Sequence, residues 1–140
     1  TAYYDMVLVS KGLQEVDEYG VIFDPVCIKN LETIIKNTKA DIVVTSSWKY
    51  LMSYENFLEM WNARNLPGFV TDTTPNVSKR RGDEIDAWIR ECKTECEYVI
   101  IDDLDASNFN EHHLPHLITV NPYNGLDEIA VKRAIEILGQ

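Results

Sequence analysis

The sequence predicts an α/β fold, a mainly parallel sheet with helices on both faces, built as one domain. Three observations carry that expectation. Short apolar runs alternate along the chain with segments of helical periodicity, the pattern of parallel strands joined by crossover helices. Two of the runs are rich in β-branched residues, as strands buried on both faces are: Ile42 to Thr45, and Tyr98 to Ile101. The second run ends in Asp102 and Asp103. Two carboxylates then stand where a strand opens at its carboxyl end, the place where open α/β sheets bind ligands.

Each element has its own signal. Residues 1–20 give the weakest. Residues 6–9 can form a short strand and residues 19–23 a second, together a flap-like hairpin. Asp24 and Pro25 suit a helix start, Asp24 as an acceptor for the first amides and Pro25 at the first helical position. Ile28, Leu31, Ile34 and Ile35 then recur at spacings of three and four, which makes one helical face. Residues 38–41 break it before the strand at 42–45. A second helix is expected over 54–63 with Phe57, Leu58 and Trp61 inward. Residues 66–68 end it, and 69–76 read as an irregular excursion. A third helix follows over 81–92, with Ile85, Trp88 and Ile89 as its apolar face. After the acidic-ended strand comes another at 117–120, a turn at 121–125, and a closing helix at 127–138 with Ile129, Ala130, Ala134, Ile135 and Leu138. Three convincing core strands are few for such a sheet, and the count implies a further one.

Composition narrows the function classes. With 140 residues and 45% apolar content the chain has enough material for a real core. The net charge of −10 disfavours passive binding to nucleic acid or an anionic membrane, because backbone phosphate contacts need Lys and Arg patches. No apolar run approaches the length of a membrane span. Cys27, Cys92 and Cys96, an odd count without framework spacing, read as reduced thiols in a cytoplasmic protein.

The residues that can carry chemistry cluster at the predicted strand ends. Asp102 and Asp103 resist joint ionisation unless a cation or hydrogen-bond donors lie between them. Hard oxygen donors in that setting suit Mg²⁺. Thr45, Ser46 and Ser47 put hydroxyls at the end of the earlier strand, able to hold a phosphate oxygen or simply to cap the next helix. Lys79, Arg80 and Arg81 are the one basic cluster in an acidic chain, placed where the third helix begins. They can neutralise a phosphate, offset the acidic pair, or stand as a solvated charge run. Asp105 is expected to be solvated. His112, His113 and His116 with Cys92 and Cys96 invite a zinc reading, but the spacings fit no common zinc arrangement.

The order of these pieces resembles the haloacid dehalogenase-like (HAD) superfamily, in particular the small domain associated with Swiss-Army-knife RNA repair proteins. The resemblance spans nearly the whole chain. It rests on Phe23 to Pro25, Ile42 to Trp48, Arg81 to Trp88, Tyr98 to Asp103 and Asn121 to Leu126. It implies a Rossmann-like three-layer α/β/α fold with minimal or no cap. It also implies Mg²⁺-dependent phosphatase or phosphotransferase chemistry on a phosphate monoester through an aspartyl-phosphate. By position, Thr45 would bind the phosphoryl oxygen beside Ser46. Arg81, or Lys79 in its place, would stabilise the charged intermediate. Asp102 would ligate Mg²⁺, with Asp103 ligating it directly or through water. The family's first motif, an apolar strand followed by Asp-x-Asp-Gly, has no match here; the segment around Asp5 lacks the second Asp and the Gly. The expectation is therefore a single domain over 1–140, with 1–23 as the flap and the strand of the first motif upstream of residue 1. The substrate would be a phosphorylated small molecule or a nucleic-acid end. A catalytically inactive binding module for a phosphorylated ligand or protein partner is the alternative. A receiver-like signalling domain fits the order of residues poorly.

Overall fold

A computed structural model describes residues 16–17, 20–21, 23, 25–45, 53–77, 80–92, 97–121 and 125–139. Strands β1 (Val16–Asp17) and β2 (Gly20–Val21) pair antiparallel, Val16 opposite Val21. The second expected strand is present at Gly20–Val21, and its partner among the described residues is Val16–Asp17. Residues 6–9, with Asp5 and Asp24, lie outside the described residues.

Helix α1 spans Pro25–Thr38 and buries Cys27 and Ile34. It ends where Lys39 takes a left-handed φ of 56° and donates its amide to Ile35 O at 2.7 Å. Strand β3 (Ile42–Val44) follows. Helix α2 (Tyr54–Ala63) starts at Ser53, whose hydroxyl accepts from Asn56 N at 3.2 Å, and buries Phe57, Met60 and Trp61. Its chain then turns back through Gly68, at φ 77°, where a Cβ would come within 2.5 Å of the Ile35 side chain. Glycine there serves both the turn and the close approach.

The segment read as an irregular excursion contains strand β4 (Val70–Thr73), parallel to β3 with Ile42 opposite Val70 and Val44 opposite Thr73. Val70 is its one buried residue, so the apolar signal was a single side chain. Backbone pairing to β3 and contact with α2 hold the strand where its own polar sequence does not. Helix α3 (Arg81–Glu91) leads to β5 (Ile100–Asp102). Two short 3₁₀ turns, Ala106–Asn108 and Glu111–His116, precede β6 (Leu117–Thr119), which runs parallel to β5. Helix α4 (Glu128–Leu138) closes the order, capped by Asp127, whose carboxylate accepts from Ala130 N at 2.8 Å. Ile129, expected on its apolar face, is 74% exposed.

The apolar residues gather in three clusters. Ile34 of α1 packs with Ile118 of β6 and Ala130 and Ala134 of α4. Val44, Phe57, Met60, Trp61 and Val70 join α2 to the β3–β4 pair. Ile85 of α3 packs with Ile100, Phe109 and Leu117 under the β5–β6 pair. Fully burying one such large side chain contributes about 1.5–3 kcal/mol. One cluster therefore anchors β3–β4 to α2, and the other two anchor β5–β6, one to α1 and α4 and one to α3.

The two parallel pairs do not pair with each other among the described residues. Between them lies a mostly apolar cavity of about 580 Å³, lined by Ile42 and Val43 on one side and by Val99 to Ile101 on the other. Ile42 N and Val44 O bond toward β4, and Asp102 O bonds toward β6. Since parallel ladders alternate, the backbone groups of Val43 and Ile101 face away from those partners. The fold is thus α/β, with a slot between its two halves among the described residues.

Candidate active site

Strand β5 alternates in burial, with Ile100 and Asp102 inside. This carries the Asp102 carboxylate to the end of a strand tied to β6, where Asp102 O accepts from Val120 N at 2.8 Å. Arg81 is the first residue of α3 and pairs through Nη1 with Asp102 Oδ2. Both side chains are nearly shielded, 14% and 6% exposed, so the pair is an interior one. Asp102 Oδ1 accepts from the Leu104 amide at 3.2 Å. Burial pushes the Asp102 carboxyl above its ordinary value. Arg81 and the Leu104 amide pull it back, while the neighbouring Asp103 adds to the rise. Asp103 is exposed. Asp105 is exposed too, and its carboxylate accepts from Ser107 N at 3.0 Å, so it caps the first 3₁₀ turn.

Thr45 ends β3. Its Oγ1 accepts a hydrogen bond from Thr74 Oγ1 at 3.0 Å, across the carboxyl ends of β3 and β4. Thr74 is 4% exposed. Because Thr45 accepts here, its own proton is left to donate to a phosphate oxygen. Thr45 and Thr74 both line the slot, together with Ile101 next to Asp102. The structure therefore brings Arg81 onto Asp102 directly. Among the described residues, no hydrogen bond links Thr45 to either of them. Ser46 and Lys79 lie outside the described residues.

Sequence reading did not assign Thr74, or a second polar centre on the other side of Arg81. Asp86 Oδ1 accepts from His112 Nε2 and His113 Nε2, each at 2.7 Å, and Asp86 Oδ2 accepts from Asn110 Nδ2 at 2.6 Å. The three groups Asp86, His112 and His113 are close enough to hold a metal ion. The tautomer argues against one. His113 Nδ1 accepts the Asn110 backbone amide at 3.0 Å, so in the neutral ring the proton sits on Nε2, facing Asp86. A metal at Nε2 would require an imidazolate or the loss of the Asn110 bond. His116 goes elsewhere, stacked on Tyr98 at 4.1 Å with Nδ1 bonded to Tyr98 O. Cys92 is not in the Asp86, His112 and His113 group, and Cys96 lies outside the described residues. The five-residue zinc reading thus has no support. The available signal was the spacing from Asn110 to His113, a capping-box geometry in which the third helical residue returns a bond to the cap.

A family model described as the HAD domain in Swiss Army Knife RNA repair proteins matches residues 4–131. The chain belongs to this family. The resemblance noted from the order of motifs is thereby established over most of the chain. The matched span contains Thr45, Arg81, Asp102 and Asp103. No curated protein and no solved structure matches the chain significantly. Among its described residues, no helix is long and apolar enough to cross a membrane. The donors available for a cation, one buried carboxyl with a raised pKa and one exposed carboxylate beside it, are hard oxygens and fit Mg²⁺. Arg81 at present answers the charge of Asp102, and a cation would share that carboxylate with it.

Proposed function

We propose that this domain is a Mg²⁺-dependent phosphohydrolase or phosphotransferase acting on a phosphate monoester. The observation that carries the reading is the buried Arg81–Asp102 pair at the end of β5, within a domain whose family suggests phosphoryl transfer. Asp102 and Asp103 hold the cation, which supplies neutralisation of charge building on the phosphoryl group. Arg81 donates to a phosphoryl oxygen through guanidinium nitrogens not used on Asp102. Thr45, fixed by Thr74, donates its hydroxyl to another, with Ser46 beside it. Lys79 is the second candidate for the basic role.

The nucleophile is an Asp on a strand seated in the slot between β3 and β5, supplied by polypeptide N-terminal to the described core. That strand completes a three-layer α/β/α arrangement with little or no cap. The Val43 and Ile101 backbone groups give it a parallel partner on each side. Attack of its carboxylate on phosphorus releases the alcohol and leaves an aspartyl-phosphate, which water then cleaves. The substrate is a phosphorylated small molecule or, as the family's name suggests, a nucleic-acid end. An odd count of three cysteines without framework spacing suits a reducing, cytoplasmic setting.

Asp102→Asn tests the reading. Hydrolysis of a generic aryl phosphate by the whole protein should require Mg²⁺ and vanish in this variant, with the circular-dichroism spectrum unchanged. Full activity in the variant refutes the metal assignment. The second reading, a binding module without turnover, is favoured by the way Arg81 already saturates one oxygen of Asp102. It predicts phosphate binding and no hydrolysis in the unmutated protein.

A further inference from the structure

Arg81 does not hold its position alone. The residue before it, Arg80, bonds through its guanidinium to Asn110 Oδ1, to Phe109 O and, at 3.3 Å, to Ser107 O. The residue after it, Gly82, lies so close to the same segment that a Cβ would sit 2.9 Å from Phe109 Cα and 3.0 Å from Asn110 N. One turn further along α3, Asp86 collects His112, His113 and Asn110. Residues 107–113, the chain that follows Asp102 and Asp103, are thus fastened to the first turns of α3 on both sides of Arg81. His113 at the centre is fully buried. Asn110 joins the two fastenings, because its Oδ1 takes Arg80 and its Nδ2 gives to Asp86.

We propose that Asp86 is a positioning residue that sets the Arg81–Asp102 pair. The proposal rests on the reading of that pair as the cation and phosphate site. The logic is geometric. Arg81 comes from α3 and Asp102 from β5, and their contact requires the start of α3 to stay in register with the chain leaving β5. Three donors converge on the Asp86 carboxylate, so only a carboxylate satisfies them all. An amide there offers one acceptor and turns a donor toward the Asn110 amide or a histidine N–H. The resulting donor–donor conflict loosens residues 107–113, and with them the register of Arg81.

The test uses the full chain and two readouts. The first is the Arg81 Nε–Hε signal in heteronuclear NMR spectra, assigned with Arg81→Lys, which is resolved and slow to exchange when the guanidinium is held on Asp102. The second is the affinity for Mg²⁺ alone, by calorimetry. Asp86→Asn and Asn110→Ala should each merge the Arg81 signal into the exchange-averaged arginines and weaken Mg²⁺ binding about tenfold, as loss of supporting partners does elsewhere. Circular dichroism well below the melting point confirms that each remains folded. Asp86→Glu, which keeps both acceptor oxygens, should restore the signal. If Asp86→Asn fails to fold, Asn110→Ala and Asp86→Glu decide the matter. An intact Arg81 signal with unchanged Mg²⁺ affinity in a folded variant overturns the proposal, and a drop in melting temperature beside an intact signal reduces Asp86 to a structural clasp. Should the unmutated protein bind no Mg²⁺ that Asp102→Asn abolishes, the functional reading fails while the Arg81 signal still judges Asp86.

Discussion

Arg81 and Asp102 concentrate the energetics of the site. A buried carboxylate is costly unless a cation answers it, and Arg81 is that cation among the described residues. Removing one partner of such a pair costs about 3–5 kcal/mol, because the other is left charged and unpaired. Arg81→Ala should destabilise the domain by roughly that amount in urea titrations. In an Asp102→Asn background the same change should cost clearly less, since no buried charge is stranded. Equal costs in the two backgrounds would mean that the pair is not coupled. Spacing alone does not fix this contact, because 21 residues separate the partners, but a basic residue opening the third helix was expected to be able to offset the acidic pair. What the sequence did display was the type of each end: two carboxylates closing an apolar run, and a basic cluster opening a helix.

At the scale of elements, α3 and the two 3₁₀ turns behave as one unit, and its weak point is acid. Burial holds the His113 ring below the ordinary imidazole value, with Asp86 opposing that fall. In the unfolded chain the same ring titrates near about 6.5. Between the two values the unfolded state binds a proton that the folded state refuses. The contribution is therefore full above about pH 6.5 and declines as the pH drops toward the folded value. Burial raises the Asp86 carboxyl, but hydrogen bonds from His112, Asn110 and His113 outweigh it and leave the net value low. It adds a further loss below about pH 3.9. The urea midpoint should fall between about pH 7.5 and about pH 5.5, and His113→Gln should flatten that slope. An unchanged slope in the variant would assign the acid sensitivity elsewhere. Helices at this scale were legible because apolar spacing of three and four marks a buried face, and α1 to α4 all begin within a residue or two of their expected starts. Strand β4 was not, since Val70 is its single buried side chain and its pairing comes from β3. The 3₁₀ turns were missed too. Runs so short show no periodicity, and the partner that holds the second, Asp86, lies 24 to 27 residues away.

For the whole molecule, the slot between the two parallel pairs decides what the fold can become. If a strand occupies it as proposed, the amides of Val43 and Ile101 are bonded on both flanks of that strand. Hydrogen exchange should then find them as protected as those of Val44 and Asp102, whose positions in the ladders face β4 and β6. Faster exchange at Val43 and Ile101 alone would show the slot standing open. The extra strand was implied by a count of only three apolar runs, and β4 brings the parallel strands to four among the described residues. The slot also has a mechanical side. Protein interiors elsewhere pack as densely as organic crystals, so whatever part of this open cavity of about 580 Å³ stays dry is volume that unfolding eliminates. Hydrostatic pressure should therefore unfold the domain with an empty slot at a lower threshold than the same domain with the strand in place. In that comparison the volume change on unfolding becomes a direct gauge of occupancy, independent of any substrate.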